Sequence, residues 1–159
     1  MDFLVAAEEA GADYASLCAH SEMKMFTEAG LGQALCLPEN SNLLKKWASA
    51  IVHAVKIPVI FKTGFTQLGE TATAVETTTA AGVPIVHLNI ESSDAQSAGL
   101  RALGQLAGKC GFLIVGGGIT DAEDARRVFK AGAGAVAIGT AAMKDRTLCG
   151  RIQTHTIAS

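Results

Sequence analysis

Apolar residues along this chain gather in short runs separated by longer amphipathic stretches. That alternation predicts β-strands and helices taking turns. The sharpest unit runs from Phe112 to Met143. Its apolar run Phe112–Val115 breaks into three glycines, Gly116 to Gly118. A helix signal follows, with Thr120 or Asp121 as N-cap and Glu123 and Asp124 in the first turn, where the helix dipole favours acids. Ala125, Val128 and Phe129 form its apolar face, and Ala131-Gly132 stops it. A second run, Ala135 to Ile138, ends at Gly139-Thr140. Parallel strands that both end in glycine bring backbone N–H groups together beyond the strand ends, a nest suited to phosphate. The plainer alternative is a βαβ unit whose glycines only make tight turns. Glycine at both strand ends, with basic residues absent, favours the phosphate.

The rest of the chain repeats the alternation. Residues 3–10 predict a helix ending at Gly11, so the chain begins inside a helix, and the strand Tyr14 to Ala19 follows. The polar stretch after His20, with Gly30 and Gly32, has no clear period and is long for a connection, as functional loops often are. Ser41 or Asn42 then caps a helix that should bury Leu43, Leu44, Trp47, Ile51 and Val55. Pro58 opens the strand Val59 to Lys62, where its missing N–H does least harm. A helix over 67–81 ends at Gly82, and the strand Ile85 to Asn89 leads to a polar loop from Glu91 to Gln96. A helix to about Ala107 precedes the glycine-tipped strands, and Arg146 begins a last, incomplete helix. Junctions share the phrase seen in EEAGADYASL, TAAGVPIVHL and FKAGAGAVAI. Five strands alternating with helices imply an α/β protein with a parallel sheet and right-handed crossovers. The expected architecture is an incomplete (β/α)8 TIM barrel of about five parallel βα units, one domain over residues 1–159. Its ligand should lie at the C-terminal strand ends, where barrel loops after the last two strands hold phosphates. Closing a barrel takes about eight strands. Open edges at Tyr14–Ala19 and Ala135–Ile138 therefore predict a homo-oligomer, or a chain that needs the missing N-terminal half.

Composition narrows the function. The 159 residues are 49% hydrophobic and only 5% aromatic, enough for one core built of closely packed small residues. Thirteen basic against fifteen acidic residues leave a net charge of -2, without the basic footprint of a stand-alone nucleic-acid binder. Four cysteines lie far apart with no CxxC spacing, so no metal is expected. No apolar run reaches transmembrane length and nothing resembles a signal peptide, which predicts no membrane contact and a cytoplasmic setting.

Candidate chemistry sits at the strand ends. Ile60 and Lys62 share one face, and His87 and Asn89 share another. A lysine ending a buried strand is costly unless it meets an anion or polar ligand, although it can also snorkel to solvent. His87 is equally readable as a hydrogen-bonded core histidine, and Asn89 is the better ligand contact. His20 and Ser21 follow the first strand and can face the same site.

GLGQALCLPE (Gly30 to Glu39), IPVIFK (Ile57 to Lys62), VGGGI (Val115 to Ile119) and AIGTA (Ala137 to Ala141) occur in the order found in flavin-dependent barrels. The run from Gly11 to Met143 resembles tRNA-dihydrouridine synthases, then dihydroorotate dehydrogenases, over the last five βα units of the family barrel. The resemblance implies an FMN-binding oxidoreductase. Lys62 would hydrogen-bond the isoalloxazine, with His87 and Asn89 near the ring. Gly117, Gly118, Gly139 and Thr140 would hold the FMN phosphate. The synthases' catalytic cysteine falls near Ser21, and their substrate-site asparagine near Cys18. Serine there speaks against tRNA uridine and for a small-molecule substrate, with Ser21 or His20 moving the proton. Two alternatives stand beside it: a phosphosugar aldolase-like lyase with Lys62 as Schiff base, and a catalytically inert barrel fragment.

Overall fold

The computed structural model describes residues 2–90 and 93–157. Helix α1 (Asp2–Glu9) leads into β1 (Ala15–Ala19). A short α2 (Lys24–Thr27) and two 3₁₀ turns, Gly32–Cys36 and Pro38–Asn40, precede α3 (Ser41–Ala54). Strand and helix then alternate: β2 (Val59–Gly64), α4 (Leu68–Ala80), β3 (Ile85–Asn89), α5 (Ser93–Ala107), β4 (Phe112–Gly116) and α6 (Ala122–Lys130). The three-residue β5 (Ala135–Ala137), α7 (Thr140–Lys144) and α8 (Leu148–Ile157) complete the described chain. The five strands pair in parallel in the order β1-β2-β3-β4-β5. This is the incomplete (β/α) barrel that the alternation predicts.

One face of the sheet carries the core. Ala15, Ala19, Val59, Phe61, Val86, Leu88, Leu113 and Val115 are all buried there. Towards β1 they pack with Leu44, Ala48 and Ile51 of α3 and Ala74 of α4. Towards β4 they pack with Val75 of α4, Leu103 and Leu106 of α5, Ala125 and Val128 of α6, and Ile152 of α8. Adjacent residues Ala74 and Val75 thus serve different clusters, and α4 is the seam between them.

The loops differ from expectation where local signals compete. Helix α3 starts at Ser41 with Asn40 as N-cap, one position before the expected cap, and the Asn40 amide donates instead to the Ala34 carbonyl at 2.8 Å. Its buried stripe is Leu44, Ala48 and Ile51, continued by Val55, while Trp47 is 39% exposed and Leu43 is half-buried. The small Ala48 takes the closest contact and moves Trp47 to the flank. Phe129 of α6 is likewise only partly buried. Strand β1 begins at Ala15, where Ala15 N–H bonds the Pro58 carbonyl, and leaves Tyr14 exposed. Strand β2 runs two residues past Lys62 to Gly64, β4 ends at Gly116, and β5 ends before Ile138. Helix α5 already starts at Ser93, so most of the expected loop to Gln96 is helical. Glu91 and Ser92 lie outside the described residues. In place of one incomplete helix from Arg146 there are two helices, α7 and α8.

Candidate functional site

The second face of the sheet is only partly covered, and its residues line up across strands. Cys18, Lys62, His87 and Ile114 form one cross-strand row. Gly64, Asn89 and Gly116 form the next, nearer the C-terminal strand ends. Lys62 and His87 therefore share one face of the sheet, a correction to their placement on different faces. Strand alternation fixes a side within each strand, but only the register fixes the phase between strands.

The glycines of the outer row make room for imidazoles. A Cβ on Gly64 would lie 2.9 Å from His20 Cδ2, and one on Gly116 would lie 2.8 Å from His87 Nε2. The Asn89 amide donates to His20 Nε2 at 2.8 Å, which places the His20 proton on Nδ1. Burial, then the nearby charge of Lys62, pull the His87 pKa below its ordinary value. His87 is thus neutral at physiological pH.

Seven expected ligand contacts line one cleft of about 670 Å³: Lys62, His87, Asn89, Gly117, Gly118, Gly139 and Thr140. Gly117 and Gly118 both have left-handed backbone, at φ +87° and +68°, a pair that glycine alone adopts without strain. Successive left-handed and turn residues aim neighbouring N–H groups to one side. Gly139 has negative φ, with φ -108° and ψ -93° outside the α and β regions, and a Cβ there meets nothing within 4 Å. Asp121 caps α6 by accepting from the N–H groups of Glu123 and Asp124, both at 2.9 Å, and so fixes the loop beyond Gly118. The Thr120 N–H and hydroxyl donate to Asp124. Burial works against the Asp124 carboxylate, but these bonds and Arg127 outweigh it and hold its pKa below the usual value.

His20 and Ser21 stand differently. Neither lines the cleft, although His20 is bonded to Asn89, which does. Ser21 is committed to its own loop. Its carbonyl accepts from Gln33 N–H at 2.9 Å, and its hydroxyl accepts from Met23 N–H at 3.3 Å. Gly32, at φ +57°, lets the chain pass so close that a Cβ would lie 2.4 Å from the Ser21 oxygen. The cleft also holds Lys144, so basic residues are not absent from it. Its signal is the i, i+4 spacing from Thr140, within a helix that begins before the expected start at Arg146. Gln33 is a further residue the sequence did not single out. Among the described residues its buried side-chain oxygen has no hydrogen-bond partner, and its amide carbon lies 3.8 Å from the position of a Gly64 Cβ.

A family model described as "Histidine biosynthesis protein" matches residues 70–158. It takes in the cleft's two glycine loops and is not a dihydrouridine synthase family. No curated protein matches the chain in sequence. Among solved structures, DHODH from Eimeria tenella in complex with ferulenol is similar at TM-score 0.73 and 13% identity, over 99% of this chain and 53% of that one. Its ligand-free form gives TM-score 0.72 and 14% identity, over 98% and 54%. A protein assigned as a phosphonomutase, from Burkholderia cenocepacia J2315, gives 0.62 and 17%, over 85% and 63%. At these identities the likeness is one of fold, and the chain spans roughly half to just under two thirds of each structure's length.

Proposed function

Since the chain belongs to the histidine biosynthesis protein family, whose matched region contains both glycine loops, we propose that its cleft binds a phosphate-bearing ligand, that this ligand is FMN, and that the activity is flavin-dependent oxidoreduction. One observation carries the proposal. The same cleft gathers two glycine loops and, on the adjoining strands, Lys62, His87 and Asn89. A volume of about 670 Å³ suits a ligand of mononucleotide size. The donor set also fits: backbone N–H groups at one end, a cation and an amide at the other. The dihydroorotate dehydrogenase fold of the Eimeria structures adds support at the level of architecture.

Within that proposal, Gly117, Gly118, Gly139 and Thr140 hold the phosphate through backbone N–H groups. Lys62 and Asn89 meet the polar edge of the ring system, and neutral His87 offers one donor and one acceptor beside Lys62. Bound FMN would supply hydride transfer. His20, oriented by Asn89, is the proposed proton carrier, with Nδ1 as the atom that would hold the proton. Ser21 would have to leave its bond with Met23 N–H to take that role. A small molecule is the proposed substrate in preference to tRNA. Both sheet edges and the partly covered face call for a second copy or a further segment, which sedimentation tests. Among the described residues no helix is long and apolar enough to cross a membrane.

The proposal predicts that purified protein quenches FMN fluorescence on titration. Gly139→Val should abolish this while leaving the fold intact, because the added side chain enters open space. Equal binding by Gly139→Val would overturn the site. A second possibility has one observation in its favour: Lys62 stands in register with neutral His87, a base that could serve a Schiff-base lyase. Borohydride trapping of a phosphosugar on Lys62, without FMN binding, would select it.

A further inference from the structure

We propose that Lys144 is a ligand-binding residue of the cleft and makes it selective for a terminal phosphate monoester, the form of phosphate that carries two negative charges. The inference deepens the FMN proposal and rests on the same cleft. Lys144 lines that cleft together with Gly139 and Thr140. It closes α7 four residues after Thr140, so the two share a helix face. Helical side chains lean towards the start of their own helix, which carries the Lys144 ammonium back towards the Gly139-Thr140 loop.

Charge supplies the second argument. The cleft is lined by two lysines, Lys62 and Lys144, and by no aspartate or glutamate. Among the described residues neither lysine makes an ion pair, whereas Lys109, Arg126, Arg127 and Arg151 each pair with a carboxylate. Two ammonium groups facing one acid-free cavity are complementary to an anion rather than to each other. Backbone N–H groups alone donate to any phosphate oxygen and discriminate little by its charge. An ammonium beside them does, because its attraction grows with each charge on the ligand. A monoester is therefore favoured over a diester, and either over an uncharged hydroxyl.

Fluorescence titration of the wild-type protein, Lys144→Met and Lys144→Arg with FMN, FAD and riboflavin tests this. FMN should bind the wild type most tightly. Lys144→Met should weaken FMN binding about tenfold or more and leave riboflavin unchanged, while Lys144→Arg should keep most of the preference. Added salt should weaken FMN binding to the wild type more steeply than to Lys144→Met. Lys144 is exposed, so both variants should melt as the wild type does. FMN affinity unchanged in Lys144→Met, or an equal loss for riboflavin, would overturn the role. Calorimetric titration with inorganic phosphate separates the two proposals. Phosphate binding that depends on Lys144, with no FMN binding, would end the flavin proposal and keep this one. Binding of neither ligand by the wild type would end both.

Discussion

The two faces of the sheet are built from the same strands yet obey different rules. In β2, Val59, Phe61 and Thr63 point into the core and are buried, while Ile60 and Lys62 between them are half-buried. The core side is apolar and close-packed, with small residues such as Ala48 and Ala125 admitting the helices. The other side mixes Cys18, Lys62, His87 and Asn89 with glycines that leave room for imidazole rings. The close-packed core thus lies on one side and the proposed ligand contacts on the other, separated by a single peptide step. Substitutions one residue apart should have unlike consequences.

The largest effect is expected on the core side. Phe61→Ala should cost about 3–5 kcal/mol in urea unfolding, since Phe61 is 1% exposed among α3 and β1 side chains. Its neighbour Ile60→Ala should cost less than about half of that, because its side chain is only half-buried. Equal losses would erase the distinction between faces. Next comes the helix that sets the cleft's glycine loop. Asp121→Ala removes the bonds to Glu123 and Asp124 N–H and should cost about 1 kcal/mol, with Asp121→Asn recovering most of it.

A smaller effect comes from pH. His87 binds its proton less readily in the folded protein than at the ordinary value of 6.5. The unfolded chain therefore takes up more protons below that value. The His87 contribution to stability is complete above about pH 6.5 and is lost as pH falls towards the depressed folded pKa. Urea midpoints measured down from pH 7 should show this slope, and His87→Gln should reduce it. The smallest change in stability is expected for Gly116→Ala. Its methyl group would crowd only the tip of the His87 ring, with Ala137 Cβ and the Ala137 carbonyl oxygen at an ordinary 3.4 Å, so the ring should swing away while the sheet holds. NMR titration should then find the His87 pKa closer to its ordinary value. An unmoved pKa would mean that Gly116 does not seat the ring.

How much of this was legible in the sequence follows from where each signal is stored. The segment from Phe112 to Ala137 carries its own punctuation, and Asp121 and Gly132 cap α6 as the local pattern predicts. Residues 21–40 carry no helical period because a four-residue helix and two 3₁₀ turns have none to show. Their shape is imposed from elsewhere, by Leu35 and Cys36 entering the core, the Cys36–Thr63 contact at 2.9 Å and the Gly32 approach to Ser21. Strand ends showed which residues could meet a ligand. They could not show that Lys62 sits in register with His87, nor that His20 rests over Gly64. Lys144 was illegible for a simpler reason: it belongs to a helix too short to announce itself.

The order of the strands in the sheet is also their order along the chain. Each βα unit finds its strand partner in the unit made just before it, so during synthesis no strand waits unpaired for a distant successor. Each pairing closes only the one crossover between sequence neighbours, which costs less loop entropy than pairing with a strand further along the chain would. Helix α4, with Ala74 in the cluster towards β1 and Val75 in the cluster towards β4, is the element through which the half made first touches the half made last.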